Sequence, residues 1–134
     1  MKRLFSLIAL VIFLISCGSN TSKKQVATNV QQSNITEVLY FHGKQRCITC
    51  NAIEKLTKEV IDSLANKNVV MKVIDISQKE NETIADKYEV TWSSLILDRS
   101  GKVENLTDMG FSYAKGQPEV FKAKLVEAIG NITK

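Results

Sequence analysis

Tyr40-Phe41-His42-Gly43-Lys44-Gln45-Arg46-Cys47-Ile48-Thr49-Cys50 is the stretch on which the reading of this chain turns. An apolar run ends at Phe41, a short polar turn follows, and two cysteines spaced C-x-x-C open a segment of helical periodicity. Within a β-α-β pattern, that spacing reads as a dithiol/disulfide redox site. The thiolate is the reactive form, and a helix N-terminus favours it because unpaired N–H groups and the dipole stabilise negative charge. Cys47, at the very start, is the expected exposed nucleophile. Cys50, one turn in on the same face, is placed to resolve a mixed disulfide. Arg46 and Lys44 add positive charge next to Cys47.

Outward from this stretch the elements alternate. Residues 35–41 read as a strand, and Val38-Leu39-Tyr40-Phe41 is apolar on both faces, as a central strand covered on two sides requires. The helix that Cys47 opens should run to about Asn66. Ile53, Leu56, Val60 and Leu64 recur at three- and four-residue steps, with Glu54, Lys55, Lys58, Glu59 and Asp62 on the other face. Glu54 and Lys58 stand four apart in the favourable order, and Asn66-Lys67-Asn68 stops the helix. Residues 69–76 form a second nearly continuous apolar strand, and a crossover helix between two strands makes them parallel. Ser77 with Glu80 is a capping pair for a short helix over 82–88. Residues 94–98 and 103–106, around Arg99-Ser100-Gly101-Lys102, predict a hairpin. A loop with Gly110, Phe111 and Tyr113 then leads to a last helix. Pro118 lies in its first turn, Glu119 complements its dipole, and Phe121, Leu125, Ala128, Ile129 and Ile132 form its buried stripe. The order is β-α-β-α-β-β-α, with no internal repeat and no second domain.

The chain has 134 residues, room for one domain of ordinary size, and its 44% hydrophobic and 24% charged composition is globular. Residues 1–16 stand outside that domain. Lys2-Arg3 is a positive n-region and residues 4–15 an almost unbroken apolar run, too short for the about 20 residues that span a bilayer. Leu14-Ile15-Ser16-Cys17 resembles the lipobox of bacterial lipoproteins, which implies cleavage before Cys17 and a lipid on that cysteine. Residues 17–33, rich in Ser, Asn, Thr, Gln and Lys without periodicity, read as a lipid-anchored tether with a reach of about 20–25 Å. Residues 34–134 are the domain. Of three cysteines, Cys17 goes to the lipid, and Cys47 with Cys50 is the remaining pair in a non-cytosolic compartment. A two-residue gap closes too small a loop to restrain an unfolded chain much, so the pair reads as chemistry rather than as a staple. The formal net charge of +4 includes Lys2 and Arg3, and without them it is only +2, too small to argue for nucleic acid.

The order of elements, with C-x-x-C opening the first helix, resembles the thioredoxin fold. The resemblance covers residues 35–134. It implies a three-layer α/β domain, a mixed four-stranded sheet with helices on both faces. Ile84-Ala85-Asp86-Lys87-Tyr88-Glu89-Val90, Leu95-Ile96-Leu97 followed by Ser100-Gly101-Lys102, and Lys115-Gly116-Gln117 are similar to the family's short helix, hairpin and start of its C-terminal helix. More narrowly, Tyr40-Phe41-His42-Gly43, Arg46-Cys47, Cys50 and Val90-Thr91-Trp92-Ser93-Ser94 resemble a group of bacterial thioredoxin-like lipoproteins. These are labelled nitroreductase-associated subunits and linked to arsenic-resistance genes. Three departures stand out. Arg46 and Ile48-Thr49 replace the Trp-Cys-Gly-Pro-Cys of thioredoxins proper. Phe41 stands where many members hold a buried carboxylate that takes the proton of the resolving thiol. Ser94 stands at the position of the family's cis-proline, so a trans loop is expected there.

The resemblance and the residues together imply a membrane-tethered thiol–disulfide oxidoreductase of the bacterial cell envelope. Its redox group is the Cys47–Cys50 disulfide, with no other cofactor. Its partners would be exported thiol or disulfide proteins or an envelope redox enzyme. Arg46, His42, Trp92 and Ser94 are the expected supporting residues, with His42 tuning Cys47 and Trp92 walling the groove. An alternative is a soft-ion module in which Cys47, Cys50 and His42 hold Cu(I), Zn²⁺ or trivalent arsenic, although two sulfurs alone make an incomplete zinc site. A third reading is a thioredoxin-fold protein that only docks a partner.

Overall fold

The computed structural model describes residues 34–134. The expected signal peptide over 1–16, the lipid-bearing Cys17 and the tether over 17–33 lie outside the described residues. The elements are β1 (Thr36–His42), α1 (Ile48–Leu64), β2 (Val69–Asp75), a 3-10 turn at Lys79–Asn81, α2 (Glu82–Lys87), β3 (Ser94–Arg99), β4 (Lys102–Asn105), α3 (Thr107–Tyr113) and α4 (Pro118–Ile132). Their order contains the expected β-α-β-α-β-β-α and adds α3.

The sheet runs β2-β1-β3-β4, with β1 parallel to β2 and antiparallel to β3. β1 is central because its side chains suit burial on both faces: Val38, Leu39, Tyr40 and Phe41 are wholly buried. Alternation sends Val38 and Tyr40 to one face. There they join Leu95 and Leu97 of β3, Ile53, Leu56 and Val60 of α1, and Phe121, Leu125, Ala128, Ile129 and Ile132 of α4. Leu39 and Phe41 point to the other face, among Ile74, Ile96, Val90, Ile84 of α2 and Tyr88 just after it. Helices α1, α3 and α4 thus cover one face and α2 the other, giving three layers. Each large apolar side chain so buried contributes about 1.5–3 kcal/mol.

Three local readings are corrected. The segment with Gly110, Phe111 and Tyr113 is the helix α3 rather than a loop. Gly110 is what lets α3 approach α1 closely, since a Cβ there would stand 3.2 Å from Ile53 Cδ1. Ser77 does not cap the next helix: its hydroxyl donates to Asp75 Oδ1 at 2.7 Å, and its N–H to the same oxygen at 2.9 Å. A local turn after β2 thus competes successfully for that side chain. Glu54 pairs with Arg46 rather than only facing Lys58. Among the described residues β2 is an edge strand, and Val70 is 38% and Val73 45% exposed.

The β3–β4 hairpin closes through Ser100 at φ 54° and Gly101 at φ 88°, two left-handed residues between the paired Arg99 and Lys102. That is the two-residue turn whose twist matches flanking strands.

Candidate functional site

The end of β1 supplies the turn that carries the cysteines. Because β1 and β3 are antiparallel with Phe41 opposite Ser94, the start of β3 and the loop before it lie at the same end of the sheet. Cys47 is the N-cap of α1, with extended backbone at φ −75° and ψ 165°, and its Sγ accepts the Cys50 N–H at 3.0 Å. Its carbonyl accepts the Asn51 N–H at 3.0 Å. Sulfur here does the work that a Ser or Asp oxygen does at other helix starts. Cys47 is exposed, and Cys50, one turn in, is only 5% exposed. The two are joined in a disulfide with Cα atoms 5.0 Å apart, within the span a disulfide bridges without backbone movement. The structure therefore gives one reachable sulfur and one shielded sulfur at a helix N-terminus, where a thiolate gains from orphan N–H groups.

Beneath this turn a polar group projects from the apolar middle of β1. Tyr40 Oη donates to the Cys50 carbonyl oxygen at 2.8 Å, and the Ser93 side chain donates to the Tyr40 oxygen. Burial raises the Tyr40 phenol above its ordinary value. The nearby Arg46 charge and the Ser93 bond pull it down and the Glu54 charge pushes it up, and the balance is upward. The phenol therefore stays protonated and acts as a donor. Phe41, at the expected place of a proton acceptor, packs against Tyr88 on the α2 face, with ring centroids 5.9 Å apart.

The supporting residues divide into those near the dithiol and those turned away from it. Arg46, adjacent to Cys47, bonds to Glu54, one turn beyond Cys50 on α1. Trp92 is 55% exposed and stacks on Phe111 of α3 with centroids 5.2 Å apart. Ile48, next to Cys47, is 73% exposed. Ser94 already lies within β3; it is buried, and its hydroxyl donates to the Trp92 carbonyl at 3.1 Å. By alternation it shares the α2 face with Ile96, and its neighbour Ser93 is the residue that reaches Tyr40. No cis peptide bond occurs among the described residues, so the 91–94 loop is trans throughout. His42 is buried at the end of β1. Its Nδ1 lies 2.9 Å from the Gly43 carbonyl oxygen, to which a ring protonated there donates. Its ring centroid is 6.2 Å from that of Tyr40. Among the described residues no three His, Cys, Asp or Glu side chains converge as a metal site would need, and the two sulfurs are joined in the disulfide.

Sequence reasoning passed over three residues. Tyr40 read as one more apolar member of a central strand, yet a buried tyrosine needs a partner for its hydroxyl, and that was the available signal. Glu54 read as solvent-facing, although four residues past Cys50 on a helix puts it on the same side. Ser93 was eclipsed by Ser94, and nothing local tells which of two adjacent serines at a strand start faces the cysteines.

No family model matches the chain, and no curated protein does. Among solved structures, the chain is similar to a thioredoxin of Fasciola hepatica at 21% identity, with a TM-score of 0.54 over 75% of this chain and 84% of that one. A malarial protein matches at 24% identity and a TM-score of 0.43 over 52% of this chain and 75% of its own. The fold is thioredoxin-like.

Proposed function

We propose that the protein is a thiol–disulfide oxidoreductase acting through Cys47 and Cys50. The observation that carries this reading is the exposed Cys47 sulfur at the α1 N-cap, bonded to a buried Cys50. In the reduced form the Cys47 thiolate attacks a substrate disulfide, a Cys47–substrate bond forms, and one substrate sulfur leaves as thiolate. The Cys50 thiolate then attacks Cys47 Sγ, closing the Cys47–Cys50 disulfide and releasing the second substrate sulfur. Two electrons pass to the substrate, and the protons of the two cysteines end on its two thiols. The reverse sequence oxidises a dithiol substrate. The redox group is the disulfide itself. Exposed Ile48, next to Cys47, and exposed Trp92, on the loop at the same end of the sheet, offer apolar surface for a docked partner. Phe41 provides no proton acceptor, so Cys50 deprotonates without the help of a buried carboxylate in that place.

The setting we propose is the bacterial cell envelope, with the domain held to a membrane by a lipid on Cys17. Exported thiol or disulfide proteins, or an envelope redox enzyme, would be the partners. The leader, lipobox and polar stretch over 1–33 support that, as does the resemblance to thioredoxin-like lipoproteins.

Cys50→Ser, expressed with its leader, tests the reading. A mixed disulfide through Cys47 should accumulate and vanish on reduction. If Cys47 captures neither a protein nor a small disulfide such as oxidised glutathione, the proposal fails. The reduction potential of the wild-type pair gives the direction: near about −270 mV the pair reduces its partners, and near about −120 mV it oxidises them.

A further inference from the structure

Tyr40 is wholly buried on the central strand, and its ring is held by the α1, α3 and α4 side of the core. Its one polar atom reaches the first turn of α1, where it donates to the Cys50 carbonyl at 2.8 Å. The same oxygen receives the Ser93 side chain, which comes from the loop before β3. One hydroxyl thus joins three separate pieces: the strand before the dithiol, the turn that holds it, and the loop across from it. Among the described residues, the tie that Cys50 makes through its sulfur is the bond to Cys47. That bond is absent whenever Cys47 carries a substrate sulfur, and the 3.0 Å contact of the Cys50 N–H with Cys47 Sγ is then free to loosen as well.

We propose that Tyr40 is a positioning residue for the resolving cysteine, its hydroxyl holding the Cys50 turn in place while Cys47 is occupied by a substrate sulfur. The inference rests on the oxidoreductase reading above. The chemical step it serves is the attack of the Cys50 thiolate on Cys47 Sγ, which forms the intramolecular disulfide and expels the substrate thiolate. That attack depends on how often the two sulfurs are in reach and aligned, which is an effective concentration. Loss of the Tyr40 bond lowers it and leaves the substrate-bound intermediate longer-lived. Tyr40 remains protonated throughout and moves no proton.

The test uses the full chain equilibrated with reduced and oxidised glutathione, with species counted by intact mass after acid quenching. Tyr40→Phe keeps the ring in the core and removes the hydroxyl. It should lower the equilibrium constant for closing Cys47–Cys50 by about threefold to tenfold, the range expected for one net hydrogen bond. That corresponds to a potential about 15–30 mV less negative. The Cys47–glutathione mixed disulfide should rise in proportion. Ser93→Ala, which leaves the core untouched, should shift both readouts in the same direction by less. A merely structural role lowers the melting temperature without moving either readout. A folded Tyr40→Phe within twofold of wild type overturns the proposal. If Tyr40→Phe does not fold, an unshifted Ser93→Ala overturns it. Failure of the oxidoreductase reading looks different, because the wild-type protein itself then forms no exchangeable disulfide at any glutathione ratio.

Discussion

Asp98→Asn should destabilise the domain in a pH-dependent way, and its geometry sets both size and sign. Asp98, at the end of β3, is buried, yet it accepts three hydrogen bonds: from the Tyr88 hydroxyl at 2.5 Å, the Gly101 N–H at 2.9 Å and the Lys87 ammonium at 3.4 Å. It therefore ties α2 to the β3–β4 turn. Burial pushes its carboxyl up, but the Tyr88, Gly101 and Lys87 donors together hold it below its ordinary 3.8. The Lys87 arm is largely exposed and adds at most about 1 kcal/mol. The other two bonds go to a buried charge, where one is worth about 1.5–3 kcal/mol. Asparagine keeps one acceptor oxygen and turns an N–H₂ toward the other donor, so about 2 kcal/mol should go at neutral pH. For a domain of this size that is a melting-temperature drop of about 8–16 °C. Because the folded carboxyl is depressed, its stabilisation is complete above the unfolded value and fades as pH falls through the lower folded one. The gap between wild type and variant should then be widest near neutrality and shrink steadily below about pH 4. Thermal melts followed by circular dichroism across that range measure it. A drop under about 3 °C at neutral pH, set against the 4–8 °C that each kcal/mol shifts, or a gap unchanged in acid, would refute the reasoning.

Two further substitutions probe other parts of the same structure. Thr57 is wholly buried on α1, and among the described residues its hydroxyl has no hydrogen-bond partner. Thr57→Val keeps the shape and removes an unsatisfied group, so thermal melts should show a gain of about 1 kcal/mol, and a loss would mean that the hydroxyl does find a partner. Arg46→Gln removes the cation beside Cys47 and frees Glu54 from its ion pair. In the reduced protein the Cys47 thiol should then be alkylated more slowly at neutral pH, because a neighbouring cation favours the reactive thiolate. Iodoacetamide labelling of the reduced protein measures this, and an unchanged or faster rate would show that Arg46 does not act on Cys47.

The local chemistry of the chain is legible in its residues. Apolar runs, the turn at 99–102 and the 3.6-residue period named the four strands among the described residues and the long helices α1 and α4. The C-x-x-C spacing and its place at a helix start already separated an outer from an inner cysteine. The region of α3 was lost because Gly110 and the short, aromatic-rich stretch carry weak helix signal, and packing against Ile53 makes the helix worthwhile. What lies around the dithiol was another matter. That Phe41 faces α2 while Tyr40 faces α1, that Ser93 rather than Ser94 reaches back to Tyr40, and that Glu54 turns to Arg46 all depend on strand register and on which face each helix covers. A one-residue change of register reverses every side chain on a strand, so only the assembled sheet could decide them. The sequence by itself determined that two cysteines meet at a helix N-terminus. The tertiary structure decided what meets them there, because those contacts join residues of β1, α1 and the loop before β3, up to 53 positions apart in the chain.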